Sequence, residues 1–269
     1  MNLDQKLEKL KNILKDMESV VIGFSGGVDS TFLLKVAKDT LGDKVLAVTA
    51  SSSTFPEREM REAIKFAKEI NANHMVIESE ELEIEGFAKN PENRCYYCKN
   101  ELFSKLTAIA RERGYNFVLD GSNGDDTGDY RPGMKAAREL GVRSPLIEAG
   151  LSKTDIRALS REMGLPTWNK PSFACLSSRV PYGQEITREK LNMIDAAEQF
   201  LIDLGFRQLR VRHHGEIARI EVAPQEREKF FSAEIMDKVA DRLKEIGFNY
   251  VTLDLKGYRT GSMNEVLNR

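Results

Sequence analysis

Cysteine is scarce in this chain of 269 residues: there are three, an odd count and too few to staple a disulfide scaffold. The expectation that follows is a reducing, cytoplasmic setting. Histidine is equally rare, with His74 alone and His213 and His214 adjacent. Neighbouring strand residues point to opposite faces, so that pair makes a poor chelate and a structural zinc site is disfavoured. No run approaches the ~18 apolar residues of a membrane-crossing helix. The opening stretch, "MNLDQKLEKLKNILKDMES", sets leucines at helical spacing among charges, which predicts an amphipathic helix and no secretory leader. An excess of one charge is also missing. A net charge of −2 leaves no global field to draw nucleic acid. Internal repeats and low-complexity tracts are absent.

What is present is the composition of a soluble globular protein, 41% hydrophobic and 30% charged. The length exceeds the roughly 250 residues at which a single core stops growing, so a large domain and a smaller one are expected. Through residue 170, short apolar runs alternate with helical patterns. "VVIGF" (20–24), "KVLAVTA" (44–50), "HMVIES" (74–79) and "YNFVLDG" (115–121) read as strands. "DSTFLLKVAKDTLG", "PEREMREAIKFAKEI", "ELFSKLTAIARERG" and "LSKTDIRALSREMG" read as helices, the last capped by Ser152. This alternation predicts an α/β fold, a doubly wound parallel sheet with helices on both faces.

The loop "LPTWNKPSFACLSSRVPYGQE" holds three prolines and no periodicity, and marks a boundary between residues 1–179 and 180–269. Beyond it the pattern predicts a long helix, strands at "RQLRVRHH" and "IARIEV" joined by a turn at Gly215 and Glu216, a helix from Pro224 to about Ile246, and a last strand, "YVTLDL". That order suits a small α+β domain with helices over one sheet face.

The first strand runs into Ser25-Gly26-Gly27-Val28-Asp29-Ser30, and a helix begins at once. In a doubly wound sheet, ligands sit beyond the carboxyl ends of the strands, where helix N-termini point. Two glycines remove the side chains that would keep an anion from consecutive backbone N–H groups, and the helix dipole adds positive potential. The hydroxyls of Ser25 and Ser30 add donors. The pattern therefore predicts a phosphate site. It is not a Walker-type loop, because the next lysine, Lys35, lies beyond the first helical turn. It resembles instead the pyrophosphate loop of the ATP pyrophosphatase superfamily. That resemblance implies ATP cleaved between its α- and β-phosphates, with Mg²⁺ offsetting the pyrophosphate charge.

Cys95 and Cys98 are separated by two residues, and Cys175 lies in "PSFACLSSR". Three cysteines without a fourth ligand suit a [4Fe-4S] cluster held by three thiolates, whose open iron can carry hydrosulfide. The alternative is three unrelated buried thiols. Arg179 lies near Cys175 in sequence, where a cation would favour the thiolate. Arg210 and Arg212 are two apart in a strand and project from one face while Leu209 and Val211 project from the other. They can clamp a mononucleotide phosphate or form a solvated hairpin face. Asp125 and Asp126, in "GSNGDD", follow the fourth strand and can hold Mg²⁺, hold a ribose, or cap a loop. Arg131, in "YRPG", is a further candidate to face an anion.

Ser25 to Ser30, "DGSNGDDTGDYRPG" (120–133), "GLPTWNKPSFACLSSR" (164–179) and "LRVRHHGEIARIEV" (209–222) together resemble the LarE family over nearly the whole chain. These are ATP-dependent pyridinium-3,5-biscarboxylic acid mononucleotide sulfurtransferases of nickel-pincer nucleotide biosynthesis. The resemblance implies a PP-loop domain of the adenine nucleotide alpha hydrolase-like type. It also implies adenylation of each substrate carboxylate, conversion to a thiocarboxylate, and a homo-oligomer, a hexamer. Cys175 matches the family's sulfur-bearing cysteine. Members with that cysteine alone sacrifice its sulfur and keep dehydroalanine. Cys95 and Cys98 depart from that pattern and resemble the cluster-bearing members, which implies repeated turnover with a sulfide donor.

Three other readings compete. A tRNA thiolase of the same superfamily can join this loop to three cysteines, but the charge is near neutral and no RNA-binding module is visible. An amide-forming NAD or GMP synthetase has no use for a cysteine triad. A nucleotide-binding regulator would not release pyrophosphate.

Overall fold

The computed structural model describes residues 1–128, 132–259 and 261–263. The chain divides into two compact units, Met1–Ile84 with Asn93–Ser172, and Glu85–Glu92 with Phe173–Arg269.

The first unit opens with α1 (Leu3–Met17), started by a reciprocal capping box between Asn2 and Gln5. There follow β1 (Val20–Gly23), α2 (Val28–Leu41), β2 (Val45–Ser51), α3 (Glu57–Glu69) and β3 (Asn73–Glu78). After the excursion into the second unit come α4 (Arg94–Arg113), β4 (Phe117–Leu119), α5 (Pro132–Glu139), α6 (Pro145–Glu148) and α7 (Lys153–Glu162). Ser152 caps α7 and forms a capping box with Asp155. The four strands lie in the order β3-β2-β1-β4, and every pairing is parallel. Alternation sorts the apolar side chains onto two faces. Val20, Ile22, Val45 and Ala47 pack with α1, α2 and α7; Val21, Leu46 and Val48 pack with Phe103 and Leu106 of α4. The expected doubly wound parallel sheet is thus present. Its topological switch lies at β1, which has β2 on one side and β4 on the other.

The second unit comprises α8 (Arg188–Asp203), β5 (Leu209–His214), β6 (Ile217–Val222), α9 (Ala233–Ile246) and β7 (Tyr250–Leu253). β5 and β6 form an antiparallel hairpin over Gly215 and Glu216, and β7 joins β6 in parallel after α9. Leu209, Val211, Ala218, Ile220 and Val222 face a core closed by Phe206, Phe230 and Phe248. The predicted continuous helix from Pro224 to Ile246 is two pieces. A 3-10 stretch covers Pro224–Phe231; Ser232 then turns extended and caps α9 by accepting from the Ile235 N–H. This cap stops one helix and starts the next.

The second unit takes in Phe173–Arg179, residues that the sequence alone groups with the first. It also takes in Glu85–Glu92, held by a buried asparagine. The Asn90 amide donates to the carbonyls of Val180 and Pro181 at 3.0 and 2.8 Å, and its own carbonyl accepts from Gly183. Among the described residues, no helix is long and apolar enough to cross a membrane.

Candidate active site

The first unit gathers its candidate residues around the end of β1. Phe24 still bonds to the Val48 carbonyl, and α2 begins with Gly27 as N-cap, without a side-chain cap bond. Its first-turn amides are therefore left for a ligand or water. Gly26 has φ +67°, and a Cβ there would lie 2.9 Å from the Cα of Ala63 in α3. Only glycine fits, for both conformation and space. Gly27 is different: a Cβ would meet only the Ser25 hydroxyl at 3.4 Å, so the resting fold does not demand glycine there. The Ser25 and Ser30 hydroxyls lie 3.2 Å apart. Val28 is buried beneath them.

The loop after β4 lies alongside. A Cβ on Gly121 would come within 3.2 Å of the Ser30 nitrogen, so the two loops meet at the switch point. Asp125 accepts from the Lys153 N–H at 3.0 Å, and Asp126 accepts from the Asn123 N–H at 3.0 Å. Each carboxylate thus has an oxygen engaged in shaping this loop. Arg131 lies outside the described residues.

Two lysines that no local pattern announced approach the loop from distant segments. Lys153, at the start of α7, forms an ion pair with Asp29. Lys170 donates to the Gly26 carbonyl at 3.2 Å and pairs with Glu59 and Glu62 of α3 at 2.8 and 2.6 Å. Both lysines thus reach the turn from segments more than a hundred residues downstream of it.

Cys95 and Cys98 sit in the first turns of α4, Cys95 exposed and Cys98 half-buried. A spacing of three places them on adjacent turns of one helix face. The Cys98 thiol donates to Glu81 at 3.8 Å. Burial pushes the Glu81 carboxyl above its usual range, against the opposing pull of the Ser52 and Thr54 hydroxyls. The two thiols are thiolate donors of the kind an iron–sulfur cluster takes. Among the described residues, however, no group of three or more His, Cys, Asp and Glu is placed to hold a metal ion.

In the second unit, Cys175 is half-buried and precedes a short 3-10 turn ending at Arg179. Arg179 is fully buried and paired with fully buried Glu198. Its Nη1 donates to the carbonyls of Ala174 and Cys175 at 2.6 and 3.0 Å. Burial alone would push the Glu198 carboxyl up, but the Arg179 guanidinium outweighs it and holds the carboxyl below its usual range.

Arg210 and Arg212 do share one sheet face, but it is not solvated: they are 3% and 7% exposed. Arg212 donates to Glu221 at 2.8 Å and to the Ser178 carbonyl at 2.7 Å, and its Nε is buried without a partner. The Arg210 guanidinium stacks over the rings of Phe173 and Tyr258. Burial first, then the charge of Arg179, lowers its pKa to about 10. The face presents buried guanidiniums beside the Cys175 loop, an arrangement suited to an anion.

The sequence profile of the NAD synthase family matches residues 3–118. A Synechocystis protein described as uncharacterized is 45% identical over 267 residues, covering 99% of this chain and all of its own. Pyridinium-3,5-bisthiocarboxylic acid mononucleotide synthase of Lactiplantibacillus plantarum is 44% identical over 268 residues, covering 99% of this chain and 96% of its own. More distantly, a glutamine-hydrolyzing GMP synthase chain of Sulfurisphaera tokodaii is 25% identical over 278 residues, covering 96% of this chain and 68% of its own.

Proposed function

This chain belongs to the LarE family, and we propose that it uses ATP to turn the carboxylates of pyridinium-3,5-biscarboxylic acid mononucleotide into thiocarboxylates. The observation that carries this reading is the uncapped amide turn at Gly26–Gly27, set at the sheet's switch point with Lys153 beside it. The pyrophosphoryl end of ATP lies on those amides and the Ser25 and Ser30 hydroxyls, with the α2 dipole behind them. Asp29, Asp125 and Asp126 are the hard oxygen donors that Mg²⁺ takes, and Mg²⁺ would neutralise the departing charge.

A substrate carboxylate oxygen attacks the α-phosphorus as the bond to pyrophosphate breaks. A sulfur nucleophile then adds to the acyl carbon and AMP leaves, carrying away the carboxylate oxygen. Arg210 and Arg212 hold the substrate phosphate, and Arg131 belongs to the same anion-binding set. Cys175, the match to the family's sulfur-bearing cysteine, takes part in the sulfur transfer as a ligand of the sulfur-carrying cluster, its loop fixed by Arg179. A [4Fe-4S] cluster on Cys95, Cys98 and Cys175 would supply hydrosulfide for repeated turnover. The external sulfide donor and the hexamer rest on the family resemblance and the cytoplasmic location on the low cysteine count, and all three belong to the same proposal.

The test is anaerobic incubation of the iron-reconstituted protein with ATP, Mg²⁺, sulfide and the mononucleotide. AMP and pyrophosphate are expected in equal amounts with thioacid, and Cys175→Ala should abolish the thioacid. ADP with phosphate, or thioacid formed undiminished by Cys175→Ala, overturns the reading. A colourless, zinc-loaded protein after reconstitution overturns the cluster.

A further inference from the structure

Lys170 is bound to the candidate loop in a way that neither sequence pattern nor packing requires. Its ammonium has three N–H groups and three oxygen partners: the Gly26 carbonyl at 3.2 Å, Glu59 at 2.8 Å and Glu62 at 2.6 Å. The ammonium also lies 5.6 Å from the centre of the Phe66 ring. The lysine side chain is 11% exposed and that of Glu59 is 6% exposed. The Lys170 carbonyl is itself gripped by Arg157 at 2.8 Å. The ammonium is therefore held in place, and one of its bonds is spent on a backbone oxygen.

That oxygen belongs to the Gly26–Gly27 peptide. The chain has no cis peptide bond, and in a trans peptide the C=O and N–H point in opposite directions. Holding the carbonyl on Lys170, which is paired to α3, therefore aims the Gly27 N–H away from it, to the side of the Ser25 hydroxyl. That N–H reaches only the Ser25 hydroxyl, at a long 3.4 Å. With glycine on both sides, sterics do not choose between this orientation and its flip. The flip would turn an oxygen, not an N–H, toward an anion. Inside the loop only that long bond favours the observed orientation, and among the described contacts Lys170 is the group that grips the carbonyl from outside it.

We infer that Lys170 is a positioning residue that presets the Gly26–Gly27 peptide, so that the Gly27 N–H is already aimed at the pyrophosphoryl group before ATP arrives. This rests on the ATP reading above and adds the group that pre-organises its phosphate site. Preorganised dipoles are effective because no reorientation cost falls at the moment of binding or reaction. Glu59 and Glu62 hold the ammonium in its turn and never touch the ligand.

The experiment measures binding of pyrophosphate and of AMP to the full chain by calorimetry, and follows the Gly27 amide by ¹⁵N NMR. Lys170→Met should weaken pyrophosphate about tenfold, equivalent to ~1.4 kcal/mol, and leave AMP unchanged. Because Lys170→Met strands buried Glu59, the pair Glu59→Gln/Lys170→Met is measured beside it. That pair keeps the cluster's net charge at minus one, so a tenfold loss in it is not long-range electrostatics. Lys170→Arg, which keeps the charge and the donors, should recover most of the affinity. The Gly27 amide should shift on pyrophosphate addition in the wild type and much less in the double variant. Wild-type pyrophosphate affinity in the double variant, or equal losses for pyrophosphate and AMP, overturns the inference. A wild-type protein that binds no pyrophosphate removes the ATP reading itself, and this inference with it.

Discussion

Replacing Arg179 with leucine tests whether the second unit stores its stability and its active geometry in the same ion pair. Arg179 and Glu198 are both without solvent exposure. Nε and Nη2 of the guanidinium meet the two carboxylate oxygens at 2.8 and 2.9 Å. Glu198 also accepts the Val211 N–H at 3.0 Å, so it ties β5 to α8 as well. Removing one partner of such a pair strands a buried charge, which costs about 3–5 kcal/mol, whereas replacing both by apolar groups is often close to neutral. Arg179→Leu and Glu198→Leu should each lower the urea midpoint by an amount equivalent to at least ~3 kcal/mol, and the double variant should return to within ~2 kcal/mol of wild type. The double variant should nevertheless form no thioacid, because the hold on the Ala174 and Cys175 carbonyls has gone. The sign of the pH effect follows from the depressed Glu198 value. Its contribution is present at neutral pH and is lost as pH falls below the unfolded carboxyl range near ~4.3 and through the lower folded value. Single variants that each cost under ~1 kcal/mol, as an exposed pair would, refute the reasoning. So does a double variant whose loss equals the sum of the two.

Two further outcomes follow from the first unit. Gly26→Ala should abolish detectable ATP binding by calorimetry, since left-handed backbone costs an L-residue about 1–2 kcal/mol and its Cβ displaces Ala63; unchanged binding counts against the turn. Glu81→Gln should raise the melting temperature at pH 8 and not at pH 4. A carboxyl whose pKa is raised by burial stabilises the fold below its unfolded pKa and loses that contribution as pH rises through the folded value. An equal gain at both pH values would contradict the buried acid.

The strands were legible because buried parallel strands are written as unbroken apolar runs, and "VVIGF" and "KVLAVTA" lie within a residue or two of β1 and β2. The glycine turn was legible because its chemistry is local. What escaped is what the tertiary fold alone assembles. Lys153 and Lys170 read as ordinary surface lysines in helix-start and loop contexts, and nothing nearby in sequence points them at residues 26 and 29. Glu198 lies on α8 among other charges, and only the fold shows it buried beneath Arg179. Ser232 did carry a signal, a serine three residues ahead of the Ile235 amide it caps, but the helical pattern on both sides outweighed it. Asn90 gave no hint that residues 85–92 leave the first unit, because its buried amide and the backbone bonds of Ala88 and Asn90 to Ile186 and Gly183 form only in the folded chain.

The close approach of Ala63 to Gly26 and the hold of Lys170 on its carbonyl make the glycine turn dependent on chain far downstream. During synthesis the segment up to α2 emerges early, yet the Lys170 contact with this turn can form only after residue 170 has left the ribosome. A nascent or truncated chain that stops short of that point lacks the hold on the Gly26 carbonyl, so its turn is left without the contact that reaches it from the far end of the first unit.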